Sequence, residues 1–168
     1  CTVIDMFDRK ILGLSGDNWL GGDDFDNRIV DRMAKVLKEE NGIEVSEKGR
    51  VKLKENAEKA KINLSETNST QVEFIGKLDG QLCQVEFRLT REEYNGIIDD
   101  LVVRAIEKAD EAIKQAELSK DEIDVVLLVG GSTLTPHVQE QLEQHFGKPP
   151  SKKVDPMLAV GLGAAVCT

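Results

Sequence analysis

The chain reads as an α/β protein, on three observations. Val125–Val129 is a short apolar run rich in β-branched residues that ends in Gly130-Gly131, the pattern of a strand covered on both faces that runs into a tight turn. Three longer stretches carry apolar residues every three or four positions, as helices with one buried face do. Between the second and third, Val72 and Phe74, then Val85, Phe87 and Leu89, alternate with polar residues at the period of half-buried strands.

Taken in order, Val3–Phe7 and Lys10–Leu14 form two strands joined by the polar turn Asp8-Arg9. The first helix begins near Gly22-Asp23, where Asp23, Asp24 and Asp26 suit the positive end of the helix dipole. Its stripe is Phe25, Ile29, Met33 and Leu37, and Asn41-Gly42 stops it. A second helix, capped by Ser46, has the thin stripe Leu53, Ala57, Ala60 and Leu64, so it lies as an outer helix on a small sheet. Asp79-Gly80 is the turn of a hairpin. Thr90 and Glu93 make a capping box for the longest helix, whose apolar face runs from Tyr94 through Ile97, Ile98, Leu101, Val102, Ala105 and Ala109 to Ile113. That length can join two subdomains. Ser119 and Glu122 cap a short turn, Thr135 with Pro136 opens a fourth helix, and Pro156 starts a fifth. The small residues Gly161, Gly163, Ala164 and Ala165 let this last helix pack closely on the Gly130 turn.

At 168 residues the chain can own one core or two small subdomains. No apolar run approaches the ~20 residues of a membrane span, so membrane insertion is not expected. The net charge of −9 argues against nucleic acid as a partner, because Lys48, Arg50, Lys52 and Lys54 are interrupted by Glu47 and Glu55. Any nucleotide must be held by local N–H groups and one or two lysines. Cys1, Cys83 and Cys167 have no metal spacing and are odd in number, which fits a reducing, intracellular compartment. His137 and His145 read as solvated or rim histidines, and Trp19 as a packing anchor at the subdomain junction. Asp17, Asp23, Asp24 and Asp26 read as an acid-rich helix start rather than a metal cluster.

Two groups could bind a ligand. Gly130 and Gly131 allow a backbone to approach a phosphate, although a tight connection without a ligand has the same pattern. Glu58, Lys61 and Ser65 share one helix face; from spacing alone an exposed face with a weak Glu-Lys pair is the favoured reading.

Four stretches, Gly16–Arg28, Glu58–Ser65, Val126–Pro136 and Val154–Ala165, together resemble the ATPase domain of DnaK-type seventy-kilodalton heat-shock chaperones. They occur in that family's order, and Glu58–Ser65 and Phe146–Pro150 are similar to its bacterial branch. The resemblance implies the actin-like ATPase superfamily fold: a ribonuclease-H-like half at 1–20 and 109–168, with an inserted α+β subdomain at 21–108. A complete domain also carries two phosphate loops that this sequence lacks. The expectation is therefore a C-terminal lobe with no catalytic residues of its own and no ATPase activity alone, the Mg²⁺ ligands lying outside this chain.

By the same resemblance ATP or ADP is the ligand. Glu58 and Lys61 contact the ribose, Ser65 the base, and Gly130, Gly131 and Ser132 the ribose and α-phosphate. Leu134 stands where the family usually has an arginine stacked on adenine, and Ile62 is also aliphatic, so adenine would lie between aliphatic groups. Met157 replaces a usual acid. Implied partners are a nucleotide-exchange factor, a J-domain co-chaperone and unfolded clients held by another domain, in the cytoplasm. Two alternatives are an interaction module for the exchange factor and another actin-like ATPase, a filament protein or sugar kinase. The wording of Gly16–Arg28 argues against the latter.

Overall fold

The computed structural model describes residues 1–166; Cys167 and Thr168 lie outside the described residues, as does the packing around Gly163. Helices mix with small sheets in the order β1 (Thr2–Asp5), β2 (Lys10–Leu14), α1 (Gly22–Asn41), α2 (Glu47–Glu66), β3 (Ser69–Leu78), β4 (Gln81–Thr90), α3 (Arg91–Gln115), α4 (Pro136–Phe146) and α5 (Ala159–Val166). The backbone forms two compact units, one from Gly21–Asp99 and one from Cys1–Leu20 with the chain from Asp100 on, and α3 contributes to both.

The Gly21–Asp99 unit follows local chemistry closely. Gly21 N–H donates to Asp24 Oδ2 (2.8 Å) at the start of α1. Gly42, at φ 68°, ends it by sending its N–H back to Lys38 O. Ser46 Oγ accepts from Gly49 N–H (3.1 Å) to cap α2, and is itself held by the Asp79 carboxylate. Asp79 (φ 50°) and Gly80 (φ 88°) both take the left-handed conformation a two-residue hairpin turn needs. β3 and β4 then pair without a slip from Ser69↔Thr90 to Leu78↔Gln81. This register turns Val72 and Leu78, with Val85 and Leu89, into the core that Ile29, Met33 and Leu37 of α1 and Leu53, Ala57 and Leu64 of α2 complete. Each such large side chain is worth ~1.5–3 kcal/mol on burial.

In the other unit β1 and β2 pair antiparallel with a bulge between Val3 and Ile4. β1 ends at Asp5 rather than Phe7, because Asp5 Oδ1 accepts from the N–H groups of Phe7 (2.8 Å) and Asp8 (3.1 Å) and starts the turn two residues early. Gly13 lies directly on α3: a Cβ there would fall 2.0 Å from Ala112 O. Back in the Gly21–Asp99 unit, at the start of α3, Thr90 N–H and Glu93 N–H exchange bonds with each other's side chains, the expected capping box.

Several expectations are overturned here. Val125–Val129 is not a buried strand: Val125, Leu127 and Val129 are all more than half exposed, and the one pairing is a parallel bridge from Leu127 to Ser151. A doubly covered strand needs neighbours on both edges, and the described residues supply a single bridge. Trp19 does not anchor packing. Asp17 accepts from Trp19 N–H and is held by Arg104, a turn that leaves the indole 84% exposed. His137 is buried at the start of α4, not at a rim, whereas His145 pairs with Asp110 (2.7 Å). Pro156 forms a turn closed on Asp155, and α5 begins only at Ala159, with Gly161, Ala164 and Ala165 exposed. Among the described residues no helix is long and apolar enough to cross a membrane.

Candidate functional site

α2 turns Leu53, Ala57, Ala60 and Leu64 inward, so the adjoining strip Lys54, Glu58, Lys61 and Ser65 follows from the helical period. This strip meets the first turns of α1. Lys54 Nζ pairs with Asp23 (2.9 Å), and Lys61 Nζ lies 2.8 and 2.9 Å from the two oxygens of Asp26 and 3.4 Å from Gly22 O. The second pair is buried, with Asp26 at 4% and Lys61 at 13% side-chain exposure. Ser65 donates its hydroxyl to Lys61 O (3.2 Å), leaving its oxygen lone pairs as acceptors. Glu58 and Ile62 are exposed.

Lys61 therefore does not form the weak pair with Glu58 that spacing alone favours. Its partner is Asp26, which the sequence reading places only in an acid-rich helix start, although the signal for a buried pair is present. Asp26, Val30, Met33 and Leu37 recur at core spacing on α1, and a charge in that row demands a buried counter-charge. Burial pushes the Asp26 carboxyl above its ordinary range, against the hydrogen bond and charge of Lys61, and the negative Glu58 adds to the rise. Asp23 goes the other way, lowered by its hydrogen bond to Lys54. The four acids read as a helix start are thus individually engaged: Asp17 with Trp19 N–H and Arg104, Asp23 with Lys54, Asp24 with Gly21 N–H, Asp26 with Lys61. Among the described residues no group of three or more His, Cys, Asp or Glu could hold a metal ion.

The second candidate group belongs to the other unit. Gly130 has φ 92°, a conformation other residues rarely adopt. Its N–H donates to Pro156 O (2.9 Å), and its carbonyl accepts from the Thr133 hydroxyl (2.7 Å) and N–H (3.2 Å). Gly131–Leu134 is a single 3-10 turn, not the start of α4, which begins at Pro136 after Thr135. Thr135 marks the cap by its backbone only and makes no side-chain cap bond. As the first residues of a helical turn, Gly131 and Ser132 have N–H groups without an acceptor inside that turn. Met157 covers Gly131, with Sδ 3.0 Å from where a Cβ would stand, and Leu134 is 40% exposed.

Each group has its own chemistry. In the Gly21–Asp99 unit the exposed carboxylate of Glu58 can accept from vicinal hydroxyls, and Lys61 keeps an N–H beyond those given to Asp26 and Gly22. In the other unit Gly131 and Ser132 offer N–H groups of the kind that receive phosphate oxygens. The model for the family described as Hsp70 protein matches residues 6–168, nearly the whole chain, and the chain therefore belongs to the Hsp70 family of ATP-binding chaperones, whose ATPase domain has the actin-like fold.

Proposed function

We propose that the chain forms the adenosine side of the ATP cleft in a DnaK-type, bacterial-like chaperone, as the C-terminal lobe of its ATPase domain. The ribonuclease-H-like part is then 1–20 with 109–168, and 21–108 is the inserted subdomain. Glu58 and Lys61 take the ribose hydroxyls, Ser65 the base, Gly130, Gly131 and Ser132 the ribose and α-phosphate, and Ile62 and Leu134 enclose adenine. In this reading Mg²⁺ and the β- and γ-phosphates are held by residues outside the chain, which has no ATPase activity alone. The ATP cycle gates a peptide-binding domain for unfolded clients in the cytoplasm, with a J-domain co-chaperone and an exchange factor.

The observation that carries this reading is the Glu58–Lys61–Ser65 strip, in which the lysine is fixed by Asp26 and the glutamate is left exposed. Backbone amide shifts during an ADP titration test it. Shifts should cluster at residues 58–65 and 130–134 at millimolar ligand. Shifts confined to residues 23–26, or none, would refute it.

A second reading, an exchange-factor surface, is favoured by the outer face of the β3–β4 hairpin, where Ile75 and Leu82 are 71% and 75% exposed. Exchange-factor binding measured with and without nucleotide separates the two: loss of binding on Ile75→Asp with Leu82→Asp would support the surface.

A further inference from the structure

Lys61 has two carboxylates within its reach, and the structure gives it to only one of them. Glu58, three residues earlier on the same helix, is the local partner. Yet the ammonium sits on Asp26 of α1: it donates to Asp26 Oδ2 (2.9 Å) and to Gly22 O (3.4 Å), while Asp26 Oδ1, 2.8 Å away, takes no hydrogen bond, so one N–H remains. Among the described residues no cation pairs with Glu58, which stays exposed. The choice has a physical cause. Asp26 is 3% exposed and cannot be left without a counter-charge, whereas Glu58 can be satisfied by water.

From this competition we infer that Asp26 is a positioning residue for the nucleoside: by holding Lys61 it leaves Glu58 free to accept from the ribose hydroxyls and leaves one lysine N–H to donate to them. The inference rests on the adenosine reading above. Asp26 touches no ligand itself. Its effect is to keep two groups of opposite charge on one helix face from neutralising each other, and so to present an acceptor and a donor side by side.

The Ser65 bond supports the same picture. Its hydroxyl proton is spent on Lys61 O, so the strip is held by internal bonds before any ligand arrives. A ligand then pays little to order it.

The test compares ADP with 2′,3′-dideoxy-ADP, which lacks both hydroxyls, by NMR titration of the 168-residue chain and of its Asp26→Asn variant. In the unaltered chain ADP should bind about ten-fold more tightly than the dideoxy analogue, the worth of one charge-assisted hydrogen bond. In Asp26→Asn, Lys61 turns to Glu58 and the ratio should fall to about one, with dideoxy-ADP affinity unchanged. A merely structural role would weaken both ligands together and leave the ratio. A variant that keeps the ten-fold ratio overturns the inference while the adenosine reading stands; a ratio of one already in the unaltered chain overturns the ribose contact and the inference with it. If Asp26→Asn fails to fold, the unaltered chain still decides. The Asp26 carboxyl carbon and Lys61 Nζ signals should shift together with ADP and stay in place with the analogue, and an Asp26 signal indifferent to ADP overturns the inference.

Discussion

Replacing Gly13 with alanine should detach β2 from α3. The new Cβ would lie 2.0 Å from Ala112 O and 3.0 Å from Ala112 C and Ala116 N, all backbone atoms of the helix and its end. Neither side can yield by turning a side chain, so the strand must retreat by roughly an ångström, an overpacking cost of ~1–3 kcal/mol. Retreat also strains the bond from Leu14 N–H to Gln115 Oε1 (3.2 Å), worth ~0.5–1.5 kcal/mol. Against this, alanine restricts the unfolded chain and returns ~0.4–1 kcal/mol. The net expectation is about 2–3 kcal/mol. Gly16→Ala is the control, since a Cβ there meets nothing within 4 Å. Tryptophan fluorescence would report poorly because Trp19 is already solvent-exposed. Hydrogen exchange of the β1–β2 amides is the better assay: protection should fall about thirty-fold or more in Gly13→Ala relative to Gly16→Ala. Equal protection in the two variants would show that the close contact is not rigid and that the reasoning fails.

Leu64→Ala removes a side chain that is 1% exposed on α2 and should lower stability by about 3 kcal/mol, read from urea midpoints; a loss below ~1 kcal/mol would mean the site collapses around the cavity. Acidification should also destabilise the fold. Asp17 is lowered first by Trp19 N–H, Asp79 by the Ser46 hydroxyl and Glu93 by Thr90 N–H, so the stability they contribute above their unfolded values is lost as pH falls through and below about 4. Asp26 opposes this trend, because its raised carboxyl favours the fold at low pH and loses that contribution as pH rises through its folded value. Urea midpoints between about pH 3 and 7 check the sum, and a midpoint that rises on acidification would refute the dominance of the lowered acids.

Legibility in the sequence followed the range of the forces involved. α1, α2, the β3–β4 hairpin and the start of α3 are set by contacts within a few residues, namely the Gly42 stop, the Ser46 cap, the Asp79-Gly80 turn and the Thr90–Glu93 box. Their limits could be read from local pattern alone. Val125–Val129 failed because burial of an extended run depends on neighbouring strands, which no local pattern reports. Pro156 marked a turn rather than a helix start because Asp155 closes that turn with its carbonyl and side chain first. In the candidate site the α2 strip was legible from its spacing, and the partner of Lys61 was not, because it comes from another helix 35 residues away. Yet Asp26 stood at a core position of α1 all along. A charge at such a position is the part of the pattern that asks for a partner.

The placement of Cys83 gives the Gly21–Asp99 unit a built-in chemical clock. Its thiol is 6% exposed on β4, opposite Gly76, while Cys1 is exposed. An alkylating reagent in solution will mark Cys1 at once but can reach Cys83 only when the hairpin lifts away. The ratio of the Cys83 labelling rate to that of a free thiol then gives the population of the opened form directly, without denaturant. Peptide mapping separates Cys83 from Cys1 and Cys167, so the same reaction followed with and without ADP would show whether a nucleotide slows the opening of this unit alone.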